Sequence, residues 1–274
     1  MLRSLVRRSL ERAPSVARVV REVRDGLDRH QPPSRTPWGF VLAGHPAMAD
    51  GTYEPVETAL VRTLLGEVDA LINVGANVGY YACHAASLGK SVVAIEPHPR
   101  NVHYLLANVR DNGWGERVEV FPVAVGASPG VLELYGGGTG ASLVAGWAGT
   151  PRSYASLVPV LPLDRILEGR KRQKALIIAD VEGAELMLLD GATATLRSTP
   201  RPLWLLEVAA RVHQPEGTSV NPTYAPTFER FAAAGYQAFA ISSAGTTPWS
   251  LDDVARVCAG AEPPSYNFLF RPAS

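Results

Sequence analysis

The sequence predicts an α/β protein built on a mostly parallel sheet with helices on both faces, and three observations carry that expectation. Short apolar runs at Ala70–Val74, Ser91–Ile95, Val118–Val125, Ala175–Val181 and Leu203–Val208 suit strands buried on both faces. Helical patterns near Tyr80–Leu88, Arg100–Asn112 and Ala184–Leu196 lie between them. The first run passes through glycines into the first of these helices, and the second run ends in a carboxylate.

Ahead of this alternation, Leu2, Leu5, Val6 and Leu10, then Val16, Val19, Val20, Val23 and Leu27, recur at three- and four-residue steps. That spacing predicts a helix, broken at Pro14. Arginines from Arg3 to Arg29 occupy its other face. Such a helix docks on the body with a solvated face, or touches a membrane surface, or pairs two copies of the chain. Gln31–Pro37 reads as a linker, so residues 1–50 form an N-terminal helical arm and linker, and 51–274 the main domain. Gly136–Ala141, running on to Thr150, reads as a lid or a flexible crossover; without a following Gly-Lys-Ser/Thr it is no P-loop. Arg211–Thr227 follows the strand ending at Glu207 and is placed to cover a substrate. A helix around Phe228–Ala234, a strand at Tyr236–Ile241 and a closing strand at Tyr266–Phe270 complete the chain.

With 274 residues, 26 basic and 26 acidic side chains and 46% hydrophobic content, the composition excludes a disordered or fibrous chain. Zero net charge argues against nucleic acid as the main partner. Cys83 and Cys258 stand far apart without metal-ligand spacing, which excludes a disulfide framework and a zinc site. No run approaches the roughly 20 apolar residues of a membrane span, and the arginine-interrupted start lacks the apolar run of a signal peptide. The expected location is cytoplasmic.

Asn73-Val-Gly-Ala-Asn-Val-Gly79 joins a buried strand to a helix through a glycine turn, which sets backbone amides and a helix N-terminus against a ligand. Gly75 permits close approach, and Gly79 lets the helix pack on the strand. Glu96, about 20 residues on, is placed to accept both hydroxyls of a ribose. A pyrophosphate loop requires glycine where this chain has Asn77, whose side chain suits an amino-acid moiety instead. S-adenosylmethionine therefore fits better than NAD.

These blocks, together with Gly51–Pro55, Glu96–Asn101, Asn108, Asn112-Gly113, Ala124–Gly126, Leu163-Asp164 and Asp180-Val-Glu-Gly-Ala-Glu185, resemble the FkbM-type S-adenosylmethionine-dependent methyltransferases over roughly residues 50–242. The resemblance implies a class I methyltransferase Rossmann-like sheet of seven strands, the last antiparallel. It places Asn73, Gly75, Ala76, Asn77 and Gly79 around the methionine part of the cofactor, Glu96 and Pro97 at its ribose, and Ala124 and Val125 near adenine. Tyr53 and Glu54 correspond to an entry block that closes over the cofactor or is structural. The chain departs from the family at two positions, with Asn73 in place of aspartate and Ile178 in place of lysine.

Methyl transfer to a hydroxyl needs alignment and a group that takes the proton. Asp180, Glu182 and Glu207 at strand ends, and His213 beyond them, are the candidate catalytic groups. The competing reading is that Asp180 caps the next helix while Glu182 and Glu185 favour its N-terminus. Asp180, Glu182 and Glu207 could instead hold magnesium or manganese. The expected activity is O-methyl transfer to a sugar, glycolipid or polyketide-like natural product. The rivals are a non-catalytic S-adenosylmethionine-binding protein and an NAD-dependent oxidoreductase.

Overall fold

The computed structural model describes residues 32–170 and 173–273; the helix expected over the arginine-rich first thirty residues lies outside the described residues. The chain enters through a two-residue pairing of β1 (Ser34–Arg35) with β2 (Val41–Leu42), followed by α1 (Pro46–Asp50) and α2 (Pro55–Leu65). The alternating part then runs β3 (Ala70–Val74), α3 (Tyr80–Ser87), β4 (Ser91–Ile95), α4 (Pro99–Asp111) and β5 (Val118–Phe121). A separate layer follows, made of β6 (Ala124–Val125), β7 (Gly130–Tyr135) and β8 (Ala155–Leu161). The main sheet resumes through α5 (Leu163–Ile166), β9 (Ala175–Ala179), α6 (Glu185–Asp190), α7 (Thr193–Leu196) and β10 (Leu203–Glu207). It ends with α8 (Tyr224–Ala233), β11 (Tyr236–Ser242), β12 (Gly245–Trp249), α9 (Leu251–Cys258) and β13 (Asn267–Pro272).

The main sheet has eight strands in the order β12-β11-β13-β10-β9-β3-β4-β5. Strands β5, β4, β3, β9 and β10 are mutually parallel, and β13 lies antiparallel between β10 and β11. This is the expected seven-stranded arrangement with its antiparallel closing strand. The hairpin partner β12 extends one edge as an eighth strand.

Strand alternation sends successive residues to opposite faces. Ile72, Val74, Ile177, Trp204 and Phe268 pack with α8 on one face. Leu71, Leu176, Leu205 and Leu269 pack with Val61, Leu64 and Leu105 on the other. Residues 38–50 lie against α3 and α4, where Phe40, Leu42 and Met48 meet Tyr80, Cys83 and Tyr104. Asn108 ties them down, donating to the Ala43 and Val78 carbonyls and accepting the Ala43 N–H.

The structure corrects several expected elements. The run Val118–Val125 is not one strand: Pro122 has no N–H to give a ladder, the chain turns with Val123 N–H on the Phe121 carbonyl, and Ala124–Val125 joins the second sheet. The helix expected over Ala184–Leu196 is two short helices separated at Gly191, where an added Cβ would lie 2.1 Å from the Gly126 carbonyl oxygen. Residues 136–150 are the tip of the β7–β8 hairpin rather than a loose crossover. Among the described residues no helix is long and apolar enough to cross a membrane.

Candidate functional site

The direction of strand succession reverses at β3, which has β4 on one side and β9 on the other, and such a switch point opens a crevice beyond the strand ends. The turn after β3 is held there by the N–H groups of Gly75 and Ala76 on the Ile95 carbonyl. Gly75 has φ 76°, and a Cβ on it would come within 1.8 Å of the Asp180 carbonyl oxygen, so β9 fixes glycine at this position. Gly79, φ 90°, packs against Leu105 of α4 rather than on its own strand, with Cδ1 2.5 Å from an added Cβ. Ala76 is buried beneath the turn.

Asn77 takes a left-handed φ of 51°, which aims its N–H at Glu96 Oε2, 2.8 Å away. Glu96 ends β4 almost wholly buried, and burial pushes its carboxyl up to about 7 against the pull of its hydrogen bonds from His98, Asn77 and Asn101. Around this turn lies a cleft partly open to solvent. Gly75, Asn77, Glu96, Pro97, Ala124, Val125, Asp180 and Glu182 all line it. Its other wall comes from Leu134, Gly138, Thr139, Ala141 and Leu143 of the hairpin, most of them in the stretch read from the sequence as a lid or crossover, and from Asn101, to which sequence reasoning gave no role. Glycine richness at 136–141 was the one available signal.

Beyond the cleft, carboxylates gather without a lysine or arginine among the charges that act on them. Asp180 is held well above the usual carboxylate range by burial, then by Glu207 and Glu182. Glu207, facing Asn267 across the β10–β13 pairing, is pushed up to about 8 by burial and by Glu182 and Glu54. Glu54 accepts the Tyr81 hydroxyl at 2.7 Å, and Tyr53 is driven upward by burial and by Glu54, Asp180 and Glu207. Tyr53, Glu54 and Glu207 thus face this acidic rim and do not line the cleft around Glu96. Asp180 does not cap α6, which has no side-chain cap; Glu185 instead accepts the Gly183 N–H.

The hairpin tip binds the rim. Trp147, 3% exposed, donates its indole N–H to Glu182 Oε2 at 2.6 Å, and its ring lies where a Cβ on Gly183 would come within 2.5 Å. Ser142 Oγ donates to the Glu182 carbonyl, and the Ala148 N–H donates to the carbonyl of His213, an exposed residue. Glu54, Asn77, Ala148, Glu182 and His213 are the non-glycine residues with left-handed φ among the described residues, and all belong to this edge. Backbone strain of roughly 1–3 kcal/mol per residue collects where function needs a fixed geometry. Trp147→Ala is expected to lower stability by about 3–5 kcal/mol, a fall of about 10 °C in Tm, and to open residues 136–150 to limited proteolysis.

The two departures from the resemblance meet in the interior. Asn73 and Ile178 are register partners on β3 and β9, both buried, and Asn73 Oδ1 has no hydrogen-bond partner. The two positions therefore abut, and in this chain both side chains are uncharged. Asn73→Asp and Ile178→Lys are each expected to destabilise by about 3–5 kcal/mol, since each buries an unpaired charge. The double variant should recover about 1–3 kcal/mol of the sum; equilibrium denaturation of all four proteins measures the coupling.

No three His, Cys, Asp or Glu side chains among the described residues are grouped to hold a metal ion. Asp180, Glu182 and Glu207 therefore share a rim without forming a coordination shell in this arrangement.

The family model for the methyltransferase FkbM domain matches residues 73–237. No curated protein matches the chain. Among solved structures, a methyltransferase FkbM from Methylobacillus flagellatus is 18% identical, with 74% of this chain and 43% of that chain covered at a TM-score of 0.44. This chain thus spans less than half of that protein's length. An O-methyltransferase from Bacillus cereus in complex with SAH is 13% identical over 79% and 80% of the two chains, TM-score 0.45. A precorrin-6y C5,15-methyltransferase from Geobacter metallireducens is 10% identical over 78% and 86%, TM-score 0.42. The family match spans more than half of the chain and takes in the turn, Glu96, Asp180, Glu182 and Glu207: the protein belongs to the methyltransferase FkbM domain family.

Proposed function

We propose that the protein is an S-adenosylmethionine-dependent methyltransferase that methylates a hydroxyl of a sugar, glycolipid or polyketide-like natural product. The observation that carries the cofactor is the joining of the Gly75–Gly79 turn to Glu96 through the Asn77 N–H, at the switch point of the sheet. Glu96 would hold the ribose, Gly75 and Asn77 the methionine part, and Ala124 and Val125 the wall beside the base. The acceptor class rests on the family.

Bound there, the cofactor supplies an electrophilic methyl group. The chain's own part is to align the acceptor, exclude water and receive the hydroxyl proton. Asp180 is the group we assign to the proton, because it lies on both the cleft and the acidic rim. Its affinity for a proton is raised by burial and by its acidic neighbours, which favours its accepting one from the acceptor hydroxyl. Trp147 holds Glu182, and the hairpin shields the site from solvent.

The test is incubation with methyl-tritiated S-adenosylmethionine and a panel of hydroxyl-bearing glycans, glycolipids and polyketides. The expected result is label in an O-methyl group, with Asp180→Asn about 100- to 10,000-fold slower while cofactor affinity holds. Label on nitrogen or carbon, or bound cofactor with no transfer to any hydroxyl, would overturn the reading.

A further inference from the structure

The carboxylate of Glu96 is largely taken up by the protein itself. Oε2 accepts the Asn77 N–H at 2.8 Å, while Oε1 accepts the His98 N–H at 2.8 Å and the Asn101 side-chain amide at 3.2 Å. An ionised carboxylate offers about four lone-pair positions, so these donors leave about one. A ribose presents two adjacent hydroxyls. A hydroxyl turned from water toward the wall of the cleft needs an acceptor there. Glu96 alone leaves one of the two without such an acceptor.

Asn101, in the first turn of α4, is 2% exposed and lines the cleft beside Glu96. Its Nδ2 donates to Glu96 Oε1 and, at 2.8 Å, to the Gly138 carbonyl of the hairpin tip. Both partners are acceptors, so the amide orientation is determined by its surroundings. Both amide hydrogens are committed, and Oδ1 is left without a hydrogen-bond partner. A buried amide oxygen without a donor calls for one, and a ribose hydroxyl is a donor of the right kind.

We propose that Asn101 is a second ribose-binding residue, its Oδ1 accepting one hydroxyl of the diol while Glu96 accepts the other. The assignment rests on the proposed reading that Glu96 faces the ribose of an adenosyl cofactor. It also gives the hairpin a stake in that ribose, because the same amide holds Gly138.

The experiment titrates the wild-type protein, Asn101→Ala and Glu96→Gln with S-adenosylhomocysteine and with its 2′-deoxy and 3′-deoxy analogues by calorimetry. The wild type is expected to bind each deoxy analogue about tenfold more weakly, the size of one lost hydrogen bond. Asn101→Ala should lose its discrimination against one analogue, and Glu96→Gln its discrimination against the other. Asn101→Ala that discriminates against both analogues as the wild type does would overturn the assignment and leave the adenosyl reading standing. A wild type that does not bind S-adenosylhomocysteine at all would overturn both.

If Asn101→Ala does not fold, the wild-type side-chain amide resonances of Asn101 serve instead. They should shift with S-adenosylhomocysteine and respond differently to one deoxy analogue. An identical response to all the ligands would overturn the assignment.

Discussion

Gly75→Ala is expected to leave little folded protein. The added methyl would lie 1.8 Å from the Asp180 carbonyl oxygen, a backbone atom with no rotamer to escape into, at a φ of 76° that alanine resists by about 1–2 kcal/mol. Relief requires β3 and β9 to part where the Asp180 N–H meets the Val74 carbonyl, in the middle of the sheet. The expected loss is at least about 4 kcal/mol, set against a total stability of roughly 5–15 kcal/mol. Gly79→Ala is the control. At φ 90° its methyl carries the same left-handed penalty, but it would meet the far end of the Leu105 side chain, which can turn aside, so it should cost about 2–3 kcal/mol. Urea denaturation of both variants measures the difference, and a Gly75→Ala protein as stable as Gly79→Ala would refute the packing described for the turn.

Glu96→Ala is expected to abolish measurable cofactor binding, a loss of at least about a hundredfold. The substitution removes the ribose acceptor and strands the buried donors of Asn77, His98 and Asn101, at about 1–3 kcal/mol each. A pH dependence should accompany it. Free Glu96 takes its proton at about 7, and the acceptor form is the carboxylate. Binding that holds Glu96 ionised must expel that proton below pH 7, so affinity should weaken by up to about tenfold per pH unit as pH falls below that point. Above pH 7 it should level off. Equilibrium dialysis with labelled S-adenosylmethionine between pH 5.5 and 8.5 checks both; wild-type affinity that is flat across this range would show that Glu96 does not change its charge on binding.

The parts of the site legible in the sequence are those that follow from strand logic. Gly75, Glu96, Asp180 and Glu207 stand at the ends of apolar runs, and the ends of parallel strands meet at one edge whatever the details of packing. The hairpin was not legible because its apolar pattern points the wrong way. Val131 and Leu157 are 62% and 73% exposed while Leu134 and Val158 are buried, so neither strand shows the clean alternation of a half-buried ribbon. Trp147 gave no local signal either, since its partner Glu182 is more than thirty residues away, and Asn101 was visible only as the end of the Glu96–Asn101 block. The left-handed backbone at Glu54 and Glu182 falls on a residue type that does not advertise it. Asn73 and Ile178 show the reverse case. Each was visible as a departure, and only the register of β3 against β9 shows that they are neighbours.

Calorimetric titration of the wild-type protein decides whether the crevice at the Gly75 turn is an adenosyl site with Glu96 on the ribose. S-adenosylmethionine and S-adenosylhomocysteine should each bind at one site per chain with micromolar affinity, and NAD should give no heat of binding. Binding of NAD without either adenosyl ligand would contradict the account, because a dinucleotide would then occupy the turn that Asn77 closes to a pyrophosphate.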